Sequence, residues 1–504
     1  MPARRWVTPE LLIPLVAIIA RMVPGPRVID DAFITFRYAR NLLSGDGLVY
    51  NPGEPVFGIT TPLFVALIAL LALLSGGPQA PFPTLTLGVN AIADGATCWL
   101  LIRLGEMLGH RRAGVLAAVL WALSPMSVTF AIGGMETSLF ILLLAATLYF
   151  QLQKRPVHAA LLASLAILAR PDGMLLVGLV GLERLRQWFR RRPETSPPTL
   201  REGLAFVVPL GLWSLFAWAT YGSPIPHSIV AKAGAYHLPP EAAFVRLLQH
   251  FSTPFIEHEV FGTAWIGVGL VLYPALFLLG TRAALRSRSD AWPMLAYPWV
   301  YFAAFSLANP LIFRWYLVPP LPFFFLGITL GLNRLAEDLR RPAAAWAVGA
   351  AAAALSLNAW TLRADHGLPR PAPDMAFIRL ELLYDQVGTW LKPRLQAGDT
   401  VAAGDIGVLG FETNAPILDL VGLVSPAASA YYPLPASAYV INFAISPDLI
   451  ADSHPQYVVF PESYGRHTLL EDPRFQADYQ LLETFPTDLY SSQAMLAYRL
   501  KAAP

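Results

Sequence analysis

Two adjacent aspartates near the N-terminus are the residues of this sequence whose position most suggests chemistry. Asp30 and Asp31 follow a first apolar stretch, and two cations, Arg37 and Arg40, come shortly after them. A carboxylate at an apolar boundary can act as a general base, and arginines can hold a phosphate. The same pair can also be structural, because acidic residues at the start of a helix cap it and interact with its dipole. The pattern therefore predicts either a catalytic base beside a phosphate site or a helix cap.

The composition indicates that these residues belong to a membrane protein. Of 504 residues, 55% are apolar and 14% are charged, whereas soluble globular chains have roughly 25% charged residues. The mean hydropathy is +0.49. A net charge of +2 gives no reason to expect a nucleic acid as a partner. The single cysteine, Cys98, excludes an intrachain disulfide and a cysteine-based metal site.

Charge divides the chain into two parts. Residues 364–504 carry 8 basic and 16 acidic side chains, and residues 1–363 carry 28 and 18. We therefore predict a basic transmembrane domain over 1–363 and an acidic soluble domain over 364–504. In the second part, apolar runs at 400–411, 415–423 and 456–460 predict strands, and 375–391 has helical spacing, which together indicate a small α/β domain. Gly404-Asp405-Ile406-Gly407 lacks dinucleotide-binding or P-loop spacing, so we interpret its glycines as turn formers.

Eleven apolar segments predict a polytopic helical bundle, since a helix needs about 20 mostly apolar residues to cross a bilayer. A twelfth run, Pro62–Ser75, is shorter, which is more typical of an interfacial or re-entrant helix. The eleven segments are Trp6–Pro24, Thr84–Ile102, Ala113–Ile132, Thr137–Leu152, His158–Ala169, Gly173–Leu182, Gly203–Tyr221, Phe261–Gly280, Trp292–Pro310, Trp315–Leu332 and Ala343–Leu362.

The distribution of basic residues sets the orientation. If Pro62–Ser75 does not cross and the N-terminus with Arg4 and Arg5 is cytoplasmic, the inside segments hold 19 Lys and Arg residues and the outside segments hold 8. This bias follows the positive-inside rule. It places the first outside loop at 25–83 and the C-terminal domain outside the cytoplasm. No small-residue cleavage site follows the first span, which we expect to be a signal anchor.

The first outside loop begins with a predicted amphipathic helix. Ala32, Phe36, Ala39 and Leu43 recur at helical spacing and form one apolar stripe. Arg37 and the other polar residues of this segment lie on a different face. This pattern predicts a helix that lies on the outer surface of the membrane.

The same topology places further ionisable residues at the outer face, where interfacial charge marks a candidate functional site. For any one of them, a helix-end or snorkelling charge is an equally good interpretation. His227, Lys232 and Arg314 predict a cationic pocket for a lipid-linked phosphate. Glu136 and Asp172 would either bind sugar hydroxyls or orient those cations. The histidines show no spacing typical of a zinc site.

Several segments resemble one family. The run Asp30–Leu42, followed by the turn-rich Gly45–Glu54, is similar to the opening of actinobacterial cell-wall terminal arabinofuranosyltransferases, which are GT-C glycosyltransferases. Two departures, Val56–Pro62 and His227, stand where that group has an acidic and amide-bearing stretch and an Asn. They leave the sugar and the acceptor open. Shorter similar segments are Gly134–Thr137, Arg170–Gly173, Tyr221–Pro226, Gly404–Gly407 and Asp419–Leu423.

The resemblance implies a GT-C-like bundle in the bacterial inner membrane, with the active site on the extracytoplasmic side. The implied reaction transfers a sugar, such as the pentose arabinofuranose, from a polyprenyl-phosphate donor to a cell-envelope glycan, lipid or protein, with inversion. It implies no nucleotide sugar and no cofactor. A phosphate monoester leaving group needs little metal assistance, so we expect no metal. The expected roles are general base for Asp30, with Asp31 as the alternative; donor phosphate binding for Arg37, Arg40, His227, Lys232 and Arg314; and sugar or acceptor binding for Glu54, Glu136, Arg170 and Asp172.

Two other classes of protein fit parts of the pattern. A lipid-linked sugar transporter or flippase predicts inverted repeats and charges near the middle of spans. The sequence shows no such repeat, and its charges cluster on one side. In a non-catalytic membrane assembly protein, Asp30 and Asp31 would only cap a helix.

Overall fold

The computed structural model describes residues 8–190, 197–255, 262–358, 362–364, 371–373 and 376–501. Arg4 and Arg5, which contribute to the predicted position of the N-terminus, lie outside these residues. Helices form most of the described chain, and a small five-stranded sheet lies near its C-terminal end. The prediction of a mainly helical chain that ends in a small α/β domain is confirmed.

The helices of the N-terminal part follow one another with short connections. Prolines stand at the first turn of many of them, where the missing N–H costs no hydrogen bond. Their bounds are α1 (Pro9–Met22), α2 (Asp30–Ser44), α3 (Pro62–Leu73), α4 (Phe82–Met107), α5 (Arg111–Leu123), α6 (Pro125–Ile132), α7 (Thr137–Leu152), α8 (Pro156–Ala169), α9 (Met174–Phe189), α10 (Leu200–Tyr221), α11 (His227–Ala235), α12 (Ala242–Ser252), α13 (Ala264–Ser287), α14 (Trp292–Ala308), α15 (Leu321–Asp338) and α16 (Pro342–Asn358).

Apolar helices long enough to cross a bilayer confirm the membrane class. Within the described residues there are four: α4, α10, α13, and α15 with the turn that precedes it at Arg314. The pair α5 and α6 is bent by 52° and gives a fifth if it is one span. Each predicted span overlaps a helix, but several of these helices are shorter than a bilayer requires. The topology of eleven spans therefore stays a prediction.

Glycines allow the helices of the bundle to approach closely. A Cβ on Gly331 of α15 would lie 1.8 Å from the carbonyl oxygen of Leu276 on α13, and one on Gly280 of α13 would lie 2.2 Å from the carbonyl oxygen of Gly327. Small residues at such crossings permit the backbone contact that stabilises helix pairs in membranes. These positions fix how α13 packs on α15.

A buried ion pair fixes the end of α1. Arg21 Nε lies 2.8 Å from Asp94 Oδ2 on α4, and both side chains are fully buried. Arg21 also donates to the carbonyl oxygen of Ala122 at the end of α5 and to the hydroxyl of Ser127 on α6. A buried charge in a bundle needs such partners. The pair therefore joins α1 and α4 to the bend between α5 and α6, directly below the loop that leads to α2.

Helix α2 is buried on two sides. Ala32, Phe36 and Ala39 are buried as the apolar stripe predicts, but Arg37 and Asn41 on the other face are buried as well. The polar face packs against the C-terminal domain, and the ring of Phe411 from that domain lies 5.4 Å from the ring of Phe33. The prediction of a helix is confirmed; its polar face is covered by the C-terminal domain rather than exposed, and its position at the membrane surface stays a prediction.

The C-terminal domain contains a mixed sheet of five strands, which are β3 (Val401–Ala403), β4 (Ile417–Asp419), β5 (Tyr457–Pro461), β6 (Tyr479–Pro486) and β7 (Ala494–Leu500). Their order in the sheet is β4-β3-β5-β7-β6. Strands β4, β3 and β5 are parallel, and β7 pairs antiparallel with both β5 and β6. The predicted boundary at residue 364 stays a prediction, because the structure describes only two short strands around it, β1 (Leu362–Ala364) and β2 (Pro371–Pro373). The other elements are α17 (Ala376–Leu391), α18 (Gly407–Thr413), α19 (Pro447–Ser453), α20 (Glu462–Gly465) and α21 (Pro473–Asp478).

The contact at Gly331 gives a test of the bundle. We expect Gly331→Ala to lower the free energy of unfolding by about 1–3 kcal/mol, because the added methyl forces α13 and α15 apart. The matched control is Gly211→Ala on α10, where a Cβ would have no heavy atom within 4 Å. Thermal unfolding of both variants in the same detergent measures the effect. An unchanged midpoint for Gly331→Ala would show that the crossing is looser than described.

Candidate active site

A cavity of about 310 Å³ lies where the helix ends meet the C-terminal domain. We call it the Asp31 cavity. It brings together five of the predicted site residues: Asp31 on α2, Glu136 before α7, Arg170 and Asp172 between α8 and α9, and Lys232 on α11. The rest of its lining is largely apolar and aromatic, and includes Ile34, Ile229, Phe305, Pro310, Trp315 and Tyr316.

Asp31 and Lys232 face each other across this cavity. Lys232 Nζ lies 3.8 Å from Asp31 Oδ2, and both side chains remain partly exposed. Lys232 Nζ also lies 4.9 Å from the centre of the Phe313 ring, which adds a cation–π contact. Burial lowers the pKa of Lys232, but Tyr316 and Asp31 outweigh it, so its pKa is raised and the side chain stays cationic.

Arg170 is held between two carboxylates. Its Nη1 donates to Glu136 Oε1 at 3.2 Å, and its Nε and Nη2 donate to the two oxygens of Asp172 at 2.9 and 3.1 Å. The ring of Tyr316 lies 5.1 Å from the guanidinium carbon. Of the two roles considered for Glu136 and Asp172, the geometry agrees with orienting a cation. Because these two acids compensate Arg170, Asp31 and Lys232 are the more available charges of the cavity.

Asp30 points away from the cavity and into the C-terminal domain. Its Oδ2 accepts from the backbone N–H of Gly407 at 2.9 Å and its Oδ1 from that of Val408 at 2.8 Å. Both amides belong to the first turn of α18, where free N–H groups favour a carboxylate. Asp30 therefore caps a helix, but the helix belongs to the other domain. A Cβ on Gly407 would lie 1.8 Å from the carbonyl oxygen of Asp30, so Gly407 permits a close contact and is more than a turn former.

The carboxylates beside this contact have shifted pKa values. Burial and the neighbouring Asp405 raise the pKa of Asp30, which the amide of Val408 opposes. Burial likewise raises the pKa of Asp405, although Tyr384 and Tyr464 donate to its Oδ2 at 3.0 and 3.1 Å. A carboxyl whose pKa is raised by folding binds its proton more tightly in the folded state. Stability at this contact is therefore greatest at acidic pH and falls as the pH rises toward the raised value.

Arg37 and Arg40 do not reach the Asp31 cavity. The buried guanidinium of Arg37 donates to the carbonyl oxygens of Tyr50, Gly410 and Ala415 at 2.7–2.8 Å. Arg40 donates to the carbonyl oxygen of Phe411 at 2.8 Å. The structure thus does not bring them to the cavity, because carbonyl oxygens of Tyr50 and of the C-terminal domain already accept their hydrogen bonds, and their phosphate role stays a prediction.

Three more predicted residues, His227, Glu54 and Arg314, do not line the cavity. The backbone N–H of His227 donates to the carbonyl oxygen of Phe57 at 2.8 Å, and its Nε2 lies 3.4 Å from Ser429 Oγ. Glu54 is exposed and accepts from Asn51 Nδ2 at 3.0 Å. Arg314 lines two other cavities, one of which shares Trp315 with the Asp31 cavity.

That neighbouring cavity contains residues that the sequence analysis missed. It has a volume of about 290 Å³, and Asp405, Tyr236, Tyr464 and Tyr490 line it together with Arg314. Aromatic rings, hydroxyls and a carboxylate are suited to hydroxyl-rich ligands. The sequence signal was the Gly404–Gly407 segment, which we interpreted only as a turn.

Solved structures share this architecture. The crystal structure of ArnT from Cupriavidus metallidurans bound to undecaprenyl phosphate matches with a TM-score of 0.56 and 13% identity, covering 98% of this chain and 97% of that one. The archaeal oligosaccharyltransferase AglB from Archaeoglobus fulgidus, in complex with an inhibitory peptide and a dolichol-phosphate, matches with a TM-score of 0.59 and 12% identity, covering 98% and 74%. At these identities the likeness shows the fold alone. The chain therefore shares the fold of these two proteins over nearly its whole length.

Sequence comparison gives a more specific but partial likeness. The chain is 28% identical over 229 residues to the terminal beta-(1->2)-arabinofuranosyltransferase of Mycobacterium tuberculosis (strain ATCC 25618 / H37Rv). This match covers 41% of the chain and only 35% of that relative's length. A family model described as a domain of unknown function (DUF8728) matches residues 375–499. The resemblance seen in the motifs is confirmed.

The helix cap made by Asp30 can be tested by comparing a variant of Asp30 with a variant of the adjacent Asp31. We expect Asp30→Ala to weaken docking of the C-terminal domain by about 1–3 kcal/mol, because two buried amides lose their acceptor. Hydrogen exchange at Gly407 and Val408, with thermal unfolding, measures the change. Asp31→Ala is the matched control, since Asp31 makes no contact with these amides in the described residues, and it should leave their protection intact. Equal protection in both variants would contradict the cap.

Proposed function

We propose that the protein is a membrane glycosyltransferase that transfers a sugar from a polyprenyl-phosphate donor to an extracytoplasmic acceptor. One observation carries the proposal: the carboxylate of Asp31 opens into a cavity between apolar helices and a soluble domain, with the ammonium of Lys232 3.8 Å away. A base and a cation at such a boundary suit a reaction in which a lipid phosphate leaves and a water-borne hydroxyl attacks.

The donor is proposed to enter from the membrane side of the Asp31 cavity. Ile229, Phe305 and Pro310 give that cavity apolar lining on which the first isoprene units could lie. ArnT and AglB, which share the fold, were solved with undecaprenyl phosphate and dolichol-phosphate. The partial likeness to a terminal arabinofuranosyltransferase supports a pentose such as arabinofuranose as the sugar.

In the proposed step, Asp31 removes the proton of the acceptor hydroxyl while the hydroxyl oxygen attacks the anomeric carbon. The bond between that carbon and the phosphate oxygen breaks, its electron pair stays on that oxygen, and the polyprenyl phosphate leaves as an anion. Lys232 offsets the negative charge that the phosphate gains. Asp30 is worse placed to take this proton, because both of its oxygens already accept backbone hydrogen bonds and it does not line the Asp31 cavity.

The acceptor is proposed to reach Asp31 through the neighbouring cavity beside Trp315. Asp405 and the tyrosines of that cavity could hydrogen-bond a cell-envelope saccharide, and Arg314 lies at its edge. This arrangement requires the domain over 364–504 to be extracytoplasmic, with eleven spans and a cytoplasmic N-terminus in the bacterial inner membrane. Assay of the purified protein with labelled polyprenyl-phosphate sugars separates this proposal from a flippase or an assembly protein, neither of which forms a glycosidic bond.

The role of Asp31 gives the central test. We expect Asp31→Asn to lower kcat about 10²–10⁴-fold, because the amide cannot accept the hydroxyl proton. Transfer of labelled pentose from polyprenyl phosphate to a saccharide acceptor measures the loss. Asp46→Asn is the matched control, since Asp46 is an exposed aspartate of the same loop. Full turnover in Asp31→Asn with an unchanged unfolding midpoint would remove the base assignment.

A second test addresses the donor phosphate. We expect Lys232→Gln to raise the donor KM about tenfold or more, since a hydrogen bond to a charged group is worth about 1.5–3 kcal/mol. Lys232→Arg should retain part of the affinity, and Lys392→Gln, at an exposed position of the C-terminal domain, should have no effect. Initial rates over a range of donor concentrations give the KM. A KM for Lys232→Gln equal to that of the unmodified protein would place the phosphate elsewhere.

A further inference from the structure

A groove of about 510 Å³ lies at the opposite end of the bundle from the Asp31 cavity. It is formed by α8, α9 and α10. Helix α8 runs from Pro156 at the groove to Ala169 beside Arg170, and α9 runs from Met174 beside Asp172 back toward the groove. The groove and the candidate active site thus occupy opposite ends of the same helices.

The middle of this groove is apolar and open. Alanines of α8 and glycines of α9 and α10 line it, and a Cβ added to Gly178, Gly181 or Gly203 would meet no heavy atom within 4 Å. The outer flanks carry exposed leucines such as Leu182 and Leu204. Alanine would fit at these three positions and would make the helices more stable than glycine does. Helix stability therefore does not explain why glycines line the open slot. The slot has the shape and polarity to accept an acyl chain.

The end of the groove is polar and basic. Lys154 and Arg184 line it, each paired with one acid: Lys154 Nζ lies 2.6 Å from Asp290 Oδ2, and Arg184 Nε lies 2.8 Å from Glu202 Oε1. Basic side chains nonetheless exceed acidic ones here. The segments at this end contain seven Lys or Arg residues and three Asp or Glu residues, in 151–156, 183–190, 197–203 and 288–290.

One hydrogen-bond acceptor at this end has no partner. The side-chain amide of Gln151 donates to the carbonyl oxygen of Asp290 at 3.0 Å, but its Oε1 is buried and accepts no hydrogen bond within the described part of the chain. A buried acceptor without a donor is costly, so a ligand hydroxyl would fit there. Gln151 lines the groove together with Lys154.

We propose that this groove binds an anionic glycerophospholipid whose headgroup carries a free hydroxyl, as phosphatidylglycerol does. The phosphate meets Lys154 and Arg184, the headgroup hydroxyl donates to Gln151 Oε1, and one acyl chain lies along the glycines of α9 and α10. Basic pockets between membrane helices bind anionic headgroups in this way. The bound lipid joins α10, which packs mainly on α8, to α9. This site is independent of the proposed transfer reaction.

The test uses the full chain, delipidated in detergent, with phosphatidylglycerol, phosphatidylcholine and undecaprenyl phosphate as separate probes. We expect native mass spectrometry to show one tightly held phosphatidylglycerol per chain, at least tenfold tighter than phosphatidylcholine. Phosphatidylglycerol should also raise the unfolding midpoint. Equal binding of the two phospholipids, or displacement of phosphatidylglycerol by an equal amount of undecaprenyl phosphate, would overturn the proposal.

Variants distinguish lipid binding in the groove from nonspecific lipid binding elsewhere on the protein. Gly181→Leu fills the slot and should weaken phosphatidylglycerol binding at least tenfold, whereas Gly211→Leu on α10, also with free space around its Cβ but outside the groove, should not. Lys154→Gln tests the headgroup without changing the slot and should remove the preference for the anionic lipid. Retained affinity in Gly181→Leu, or retained preference in Lys154→Gln, would contradict the proposal.

Discussion

The contact between α2 and the first turn of α18 is the interaction on which the rest of the arrangement depends. A helix N-terminus has N–H groups that the helix itself cannot satisfy, and α18 places two of them, Gly407 and Val408, against the carboxylate of Asp30. Two turns further along α2, Arg37 is buried and donates to carbonyl oxygens of the same domain. Both polar groups lose hydration, so each needs these partners. The two sets of hydrogen bonds together favour this docking of the domain on α2.

This contact also decides the position of Asp31. Consecutive residues of an α-helix point about 100° apart, so two neighbouring aspartates cannot face the same partner. With Asp30 held by α18, Asp31 is turned toward the cavity and Lys232. The two interpretations of the pair, helix cap and catalytic base, are thus compatible, because Asp30 caps α18 and Asp31 is left available for the proposed role of base.

Hydropathy and charge in the sequence predicted most of the helices. The spacing of residues along the chain predicted fewer of the contacts at the candidate site. The helices could be predicted because a bilayer imposes long apolar segments on the sequence, and Glu136, Arg170, Asp172 and Lys232 could be grouped because the topology places them at one face. The role of Arg37 could not be predicted, since its partners at Gly410 and Ala415 are 373 and 378 residues away. Its position shortly after Asp30 and Asp31 suggested a phosphate ligand, and only the docked domain shows that its hydrogen bonds are already made.

The charge balance of the cavity suits a reaction that separates a phosphate from a sugar. The positive charge of Arg170 is neutralised by the carboxylates of Glu136 and Asp172. Arg170 therefore holds these side chains in place more than it attracts an anion. Lys232 has only Asp31 as a close acidic partner among the described residues, at 3.8 Å, which is longer than a charge-assisted hydrogen bond. A loosely paired ammonium can turn to a phosphate oxygen without leaving a buried carboxylate unsatisfied, because Asp31 is partly exposed. In the proposed reaction, the donor phosphate would replace Asp31 as the partner of Lys232, and the oxygens of Asp31 would then be open to the incoming hydroxyl.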